Sequence, residues 1–114
     1  MSIDYQIELD EELDKFNVWC SNKQENIGYL NYWLRDDYLE IADLLLDEDH
    51  RQLGIGSELI KLTIELAKSK ELKKVILSTA ANDIPVHNFY RKNGFKFVIE
   101  KPSGAVFELV ITNT

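Results

Sequence analysis

Apolar and polar residues alternate along the first third of the chain. Ile3, Tyr5, Ile7 and Leu9 are separated by polar positions, the two-residue period of a strand with one buried face. Asp10-Glu11-Glu12 is a charged turn. Phe16, Val18 and Cys20 alternate as a second strand, and the polar segment 21–26 separates it from a third over 27–34, rich in aromatics. Arg35-Asp36-Asp37 turns the chain into a fourth strand, Tyr38–Leu46. Connections this short permit only hairpins, so the four strands form an antiparallel meander.

The period then changes. Leu59, Leu62, Leu66 and Ala67 recur at helical spacing, which predicts a helix over about 53–69. Val75-Ile76-Leu77 is a short apolar strand. A helical crossover from the fourth strand implies that the two pair in parallel. Asp83 suits an N-cap and Pro85 a first helical turn, so a second helix starts there. Gly94 ends it in a left-handed conformation. Segments 95–100 and 105–111 make a final hairpin around Pro102-Ser103-Gly104. The result is an α+β fold with a mixed sheet, in the order ββββ-α-β-α-ββ, forming one domain over 1–114.

Composition narrows the function. A chain of 114 residues with 45% hydrophobic content suffices for one core and leaves no room for two domains. The net charge of −7 argues against a nucleic-acid partner, which needs clustered Lys and Arg, and favours a cationic substrate such as an amine. The single cysteine, Cys20, excludes an internal disulfide and suits a reducing cytoplasm. The polar, acidic start and the lack of any apolar run near ~18 residues predict neither a signal peptide nor a membrane span. No pair of histidines or carboxylates has metal-ligand spacing, so no metal is expected. His50 and His87 read as surface residues of a loop and a helix.

The chemistry concentrates at Arg51-Gln52-Leu53-Gly54-Ile55-Gly56, between the apolar end of the fourth strand and the first helix. Free backbone N–H groups at a helix N-terminus, together with the helix dipole, form an anion site. Gly54 and Gly56 let a phosphate approach the backbone, and Arg51 adds a charged donor fork. A Walker A loop would need a lysine where Ser57 follows Gly56. A dinucleotide fingerprint would need a third glycine where Leu59 stands, within a larger doubly wound fold.

Arg51-x-x-Gly54-x-Gly56 resembles the coenzyme A pyrophosphate loop of the GNAT superfamily of N-acetyltransferases, Arg/Gln-x-x-Gly-x-Gly/Ala. Downstream, Asn88-Phe89-Tyr90-Arg91-Lys92-Asn93-Gly94-Phe95 resembles that family's aromatic-Tyr-x-Lys-x-Gly-Phe block. The resemblance covers roughly 37–107. It implies an acetyl-CoA-dependent N-acetyltransferase with acetyl-CoA as cosubstrate and an amine, small molecule or protein, as acceptor. The backbone of Leu53, Gly54, Ile55, Gly56 and Ser57 would hold the pyrophosphate, with Arg51 and Gln52 beside it. The family's fourth and fifth strands splay apart, and the pantetheine arm lies between them, so the backbone of Leu44 and Leu46 would bind that arm. Asn82 matches a residue that commonly touches it, although asparagine there is equally a helix cap. Tyr90 matches the tyrosine that often protonates the leaving thiolate. Glu40 has the offset from the loop of the catalytic glutamate in the histone-acetylating branch. Asp43 or an ordered water is the alternative base, with Asp43 on the opposite strand face unless a bulge changes the parity.

Most family members carry one or two helices between the first two strands, roofing the acceptor site. Here a short charged turn replaces them, so an open acceptor groove, or one completed by a second subunit, is expected. The aromatic strands are compatible with a homodimer. A catalytically degenerate acyl-CoA-binding domain and a protein-interaction module are the alternatives to an enzyme.

Overall fold

The computed structural model describes residues 4–20, 25–47 and 54–111. In chain order the elements are β1 (Tyr5–Asp10), β2 (Lys15–Cys20), β3 (Glu25–Leu34), β4 (Tyr38–Leu46), α1 (Ile55–Ser69), β5 (Lys74–Thr79), α2 (Ile84–Lys92), β6 (Lys96–Lys101) and β7 (Gly104–Val110). The strands form one mixed sheet in the order β1-β2-β3-β4-β5-β7-β6. The β4–β5 contact is parallel and the others are antiparallel. This is the mixed sheet and the element order expected from the alternating pattern.

Local chemistry sets the connections. Leu13 N–H donates to the Asp10 carboxylate (3.2 Å) and Asp14 takes a positive φ of 52°, which closes the β1–β2 hairpin. Asp83 caps α2, its carboxylate accepting from Val86 N–H at 3.3 Å, and Pro85 lies in the first turn. Gly94 ends α2 at φ 95°, its N–H donating to the Arg91 carbonyl at 3.0 Å. Gly104 holds φ 133° so close to β5 that an added Cβ would stand 2.3 Å from the Thr79 carbonyl oxygen.

The two faces of the sheet differ sharply. Leu30 and Tyr32 on β3, Leu39 and Ile41 on β4, Val75 and Leu77 on β5, and Phe107 on β7 share one face by register, and all are buried. Both helices cover this core face. An added Cβ on Gly56 of α1 would lie 3.5 Å from Leu46 Cδ1, and the His87 ring of α2 lies 5.1 Å from the Phe107 ring. From α1, Leu59, Ile60 and Ala67 are buried here; each Leu or Ile contributes about 1.5–3 kcal/mol by leaving water. The opposite face carries Asn17, Tyr29, Asn31, Trp33, Glu40, Asp43 and Ile76, and among the described residues no helix lies over it.

Bulges interrupt three ladders. Ile27 is the extra residue between β3 and β2, Ala42 between β4 and β3, and Val98 between β6 and β7. On the edge strand β6, Phe97, Val98 and Ile99 are all about half exposed. The bulge at Val98 and the lysines at both ends blunt that edge against unwanted strand pairing.

Candidate active site

The β4–β5 ladder runs only from Tyr38↔Lys74 to Ile41↔Leu77. Beyond it β4 continues to Leu46 and β5 to Thr79 without pairing to each other, so the strands splay into a cleft. The bulge at Ala42 coincides with this divergence, because an extra residue bends and twists its strand. Leu44 and Leu46 line β4 along the opened stretch, both half-buried and both on the core face.

The N-terminus of α1 lies beside the cleft. Glu58 N–H donates to the Gly54 carbonyl at 3.1 Å, closing the first helical turn. The N–H groups of Ile55, Gly56 and Ser57 precede that bond, and a helix leaves them outside its own ladder. Gly54 adopts φ 82°, and a Cβ there would meet nothing within 4 Å, so its backbone is open to an approaching group. Gly56 serves a different need. A Cβ there would come within 3.1 Å of the Phe89 ring, so its lack of side chain lets α2 pack against α1. Arg51, Gln52 and Leu53 lie outside the described residues. A groove of about 300 Å³ runs along α1 past Ser57, Lys61 and Lys68, with Asn93 on its far wall.

Tyr90 projects from α2 on the core face. It is 7% exposed, and its ring meets Phe89 and Phe95 edge-on at 5.1 and 5.6 Å. Burial pushes the phenol up to about 12, and the negative charge of Asp43 adds to the rise.

The bulge also settles the parity of the carboxylates. Trp33 pairs with Glu40, Asn31 with Asp43 and Tyr29 with Leu45. Glu40 and Asp43 therefore share the open face, where an unbroken strand would set them on opposite faces. Glu40 receives the Arg35 guanidinium, Nε at 3.3 Å and Nη2 at 3.2 Å, both on Oε1. Arg35 in turn stacks 5.4 Å from the Trp33 ring. Asp43 accepts from the Tyr29 hydroxyl at 2.9 Å, and this bond raises the Tyr29 pKa by favouring the protonated phenol.

Asp83 caps α2 as expected, so of the two readings of Asn82, exposed in the turn, the cap reading falls away, and one further expectation for the β5–α2 connection changes. His87 is buried, not on the surface: at 6% exposure its Nε2 donates to the Ala80 carbonyl at 2.8 Å and pins that turn to α2. Nothing in its helical spacing distinguished it from an exposed residue. Sequence reasoning also gave Tyr29 no role beside Asp43, because the two are fourteen residues apart and meet only across the β3–β4 ladder.

The sequence profile of the Acetyltransferase (GNAT) family matches residues 2–95. Streptothricin acetyltransferase of Escherichia coli is 28% identical over 95 residues, which cover 81% of this chain and 53% of that protein. Glucosamine 6-phosphate N-acetyltransferase of Trypanosoma brucei brucei is 38% identical over 56 residues, 49% of this chain and 36% of that protein. The chain spans about half the length, or less, of the curated relatives it matches. The crystal structure of PaiA N-acetyltransferase from Thermoplasma acidophilum, in complex with coenzyme A, superposes with a TM-score of 0.80. It shares 21% identity, over 89% of this chain and 64% of that one. That likeness concerns the fold.

Proposed function

The chain belongs to the Acetyltransferase (GNAT) family, and from that premise we propose that it transfers an acetyl group from acetyl-CoA to a primary amine. The observation that carries this reading is the splayed β4–β5 cleft, with the N-terminus of α1 packed beside Leu46 at its open end. The residues present fit such a cosubstrate. Gly54 offers open backbone where a pyrophosphate would rest, and the first-turn N–H groups of Ile55, Gly56 and Ser57 supply donors. Arg51, Gln52 and Leu53 complete this loop in our proposal. The opened edge of β4, at Leu44 and Leu46, is suited to an extended amide-bearing arm, and Asn82 stands at the opposite side on the β5–α2 turn.

Acetyl-CoA supplies the activated acyl group. The chain's own residues then act on protons. The Tyr90 hydroxyl, held protonated far above neutral pH, gives its proton to the departing sulfur. A departing thiol has a lower pKa than this phenol, so the proton is present at every physiological pH but transfers only as negative charge builds on sulfur. Glu40 takes the proton of the attacking amine, directly or through water; both Arg35 contacts go to Oε1 and leave Oε2 to accept it. Both helices cover the core face, so the amine arrives from the open face.

The test is thiol release from acetyl-CoA in the presence of a mixed amine panel, alongside calorimetry with coenzyme A. Binding with amine-dependent thiol release is expected. Binding without release leaves a domain that holds the cofactor without transferring its acyl group. No binding at millimolar coenzyme A overturns the reading.

A further inference from the structure

The first turn of α1 carries an acid, Glu58, beside the backbone donors proposed to hold a pyrophosphate, and a tyrosine of β1 ties that acid away. Resting on the acetyl-CoA reading, we propose that Tyr5 is a positioning residue. Its hydroxyl holds the Glu58 carboxylate on the β1 side of α1, clear of the N–H groups of Ile55, Gly56 and Ser57.

The first ground is the conflict between two anions. Glu58 is the acidic residue of that first turn, and no side-chain hydrogen bond caps α1 at Gly54. Helical side chains lean towards the N-terminus of their own helix, so an unrestrained Glu58 carboxylate lies within reach of the first-turn donors. The free N–H groups and the positive end of the helix dipole attract a carboxylate for the same reason that they attract a phosphate. The two compete for one place, and they repel each other when both are present.

The second ground is the bond that removes the conflict. Tyr5 O–H donates to Glu58 Oε2 across 53 positions of sequence. The bond raises the phenol pKa above its ordinary 10.0 by favouring the protonated form, so the donor persists throughout the neutral range. Tyr5 lies on the edge strand β1, on the face it shares with Ile7 and Leu9, and is half-buried against the core. It reaches α1 from the side away from the cleft. On α1, a Cβ at Gly56 would stand 3.1 Å from the Phe89 ring and 3.5 Å from Leu46 Cδ1. Glu58, two residues on, is turned by about 200° round the helix. The side of α1 that meets β4 and the side that meets Tyr5 are therefore different.

The third ground separates positioning from anchoring. The β1–β2 hairpin makes a second tie at the other end of α1, where Lys70 Nζ lies 3.4 Å from Glu11 Oε2. That contact fastens the helix far from its N-terminus and supplies a control.

Calorimetry with coenzyme A, and with pantetheine, which has the arm and thiol but no phosphate, tests the assignment. Tyr5→Phe keeps the ring and should weaken coenzyme A binding about two- to fivefold, the scale of one exposed charge interaction. Pantetheine binding should not change. Glu58→Gln removes the charge and should bind coenzyme A at least as tightly as the wild type. The double variant Tyr5→Phe/Glu58→Gln should match Glu58→Gln, because the hydroxyl then has no carboxylate to hold aside. Glu11→Gln breaks the other tie and should leave coenzyme A affinity within about 1.5-fold. Unchanged coenzyme A affinity in Tyr5→Phe, an equal loss for pantetheine, or a loss that persists in the double variant overturns the positioning role and leaves the acetyltransferase reading standing. A wild type that does not bind coenzyme A at millimolar concentration overturns that reading, and this assignment with it.

Discussion

Replacing Tyr90 with phenylalanine isolates the proposed proton donor from the scaffold that holds it. The ring is 7% exposed and keeps its edge contacts with Phe89 and Phe95 in the variant. Only the hydroxyl is lost, so the fold should survive with a stability change under about 1 kcal/mol, a shift of at most several degrees in Tm for a chain of this size. The kinetic effect should be much larger. A positioned general acid contributes about 10²–10⁴-fold, so the single-turnover rate of thiol release should fall by that factor, while coenzyme A affinity stays unchanged. The assay has an internal control. An acetyl thioester of an acidic aryl thiol leaves without protonation, so the wild-type to variant ratio should shrink towards one with that donor. A ratio within twofold for acetyl-CoA under single turnover, or an equal loss with both donors, would refute the proton-donor role. The phenol pKa of about 12 also fixes a pH signature. The folded value lies above the unfolded value of 10.0, so the stability tied to the bound proton is full below pH 10 and is lost as pH climbs towards 12. The wild type should therefore lose stability relative to Tyr90→Phe across pH 10–12 and not below it.

Other outcomes follow from single contacts. Tyr32→Phe removes a hydroxyl buried without a hydrogen-bond partner and should raise stability by about 1 kcal/mol in urea titration. Gly104→Ala drives a Cβ to 2.3 Å from the Thr79 carbonyl oxygen at φ 133°, so it should cost more than about 2 kcal/mol and loosen the β5–β7 ladder in hydrogen exchange. Gly54→Ala meets nothing within 4 Å but stands at φ 82°; its stability cost should stay near 1–2 kcal/mol, while coenzyme A binding in calorimetry should weaken further than folding does. Equal affinity in Gly54→Ala would remove that backbone from the proposed phosphate cradle.

Much of the architecture was legible in the chain. The alternation in residues 5–46 gave four hairpin-linked strands, and β4 occupies the predicted Tyr38–Leu46. Asp83, Pro85 and Gly94 marked both ends of α2 because cap chemistry is local. Leu59 and Ala67 marked the buried face of α1 because helical period is local too. What escaped was non-local. A bulge has no residue signature in Ile41-Ala42-Asp43, yet Ala42 reverses the parity of the strand and brings Asp43 onto the face of Glu40. His87 looks like any polar helical residue until Phe107 and the Ala80 carbonyl surround it.

Period, caps and glycine spacing thus specify the elements, their order and the phosphate-type loop, since each depends on residues within a few positions of one another. The distribution of the two helices to one face, the opening of the β4–β5 seam and the meeting of Tyr29, Asn31 and Asp43 depend on strand register across the sheet. Register is set by how bulges and packed side chains add up over the whole fold. The loop proposed to hold the donor was therefore readable along the chain, while the open face of the sheet emerged only when the strands were laid side by side.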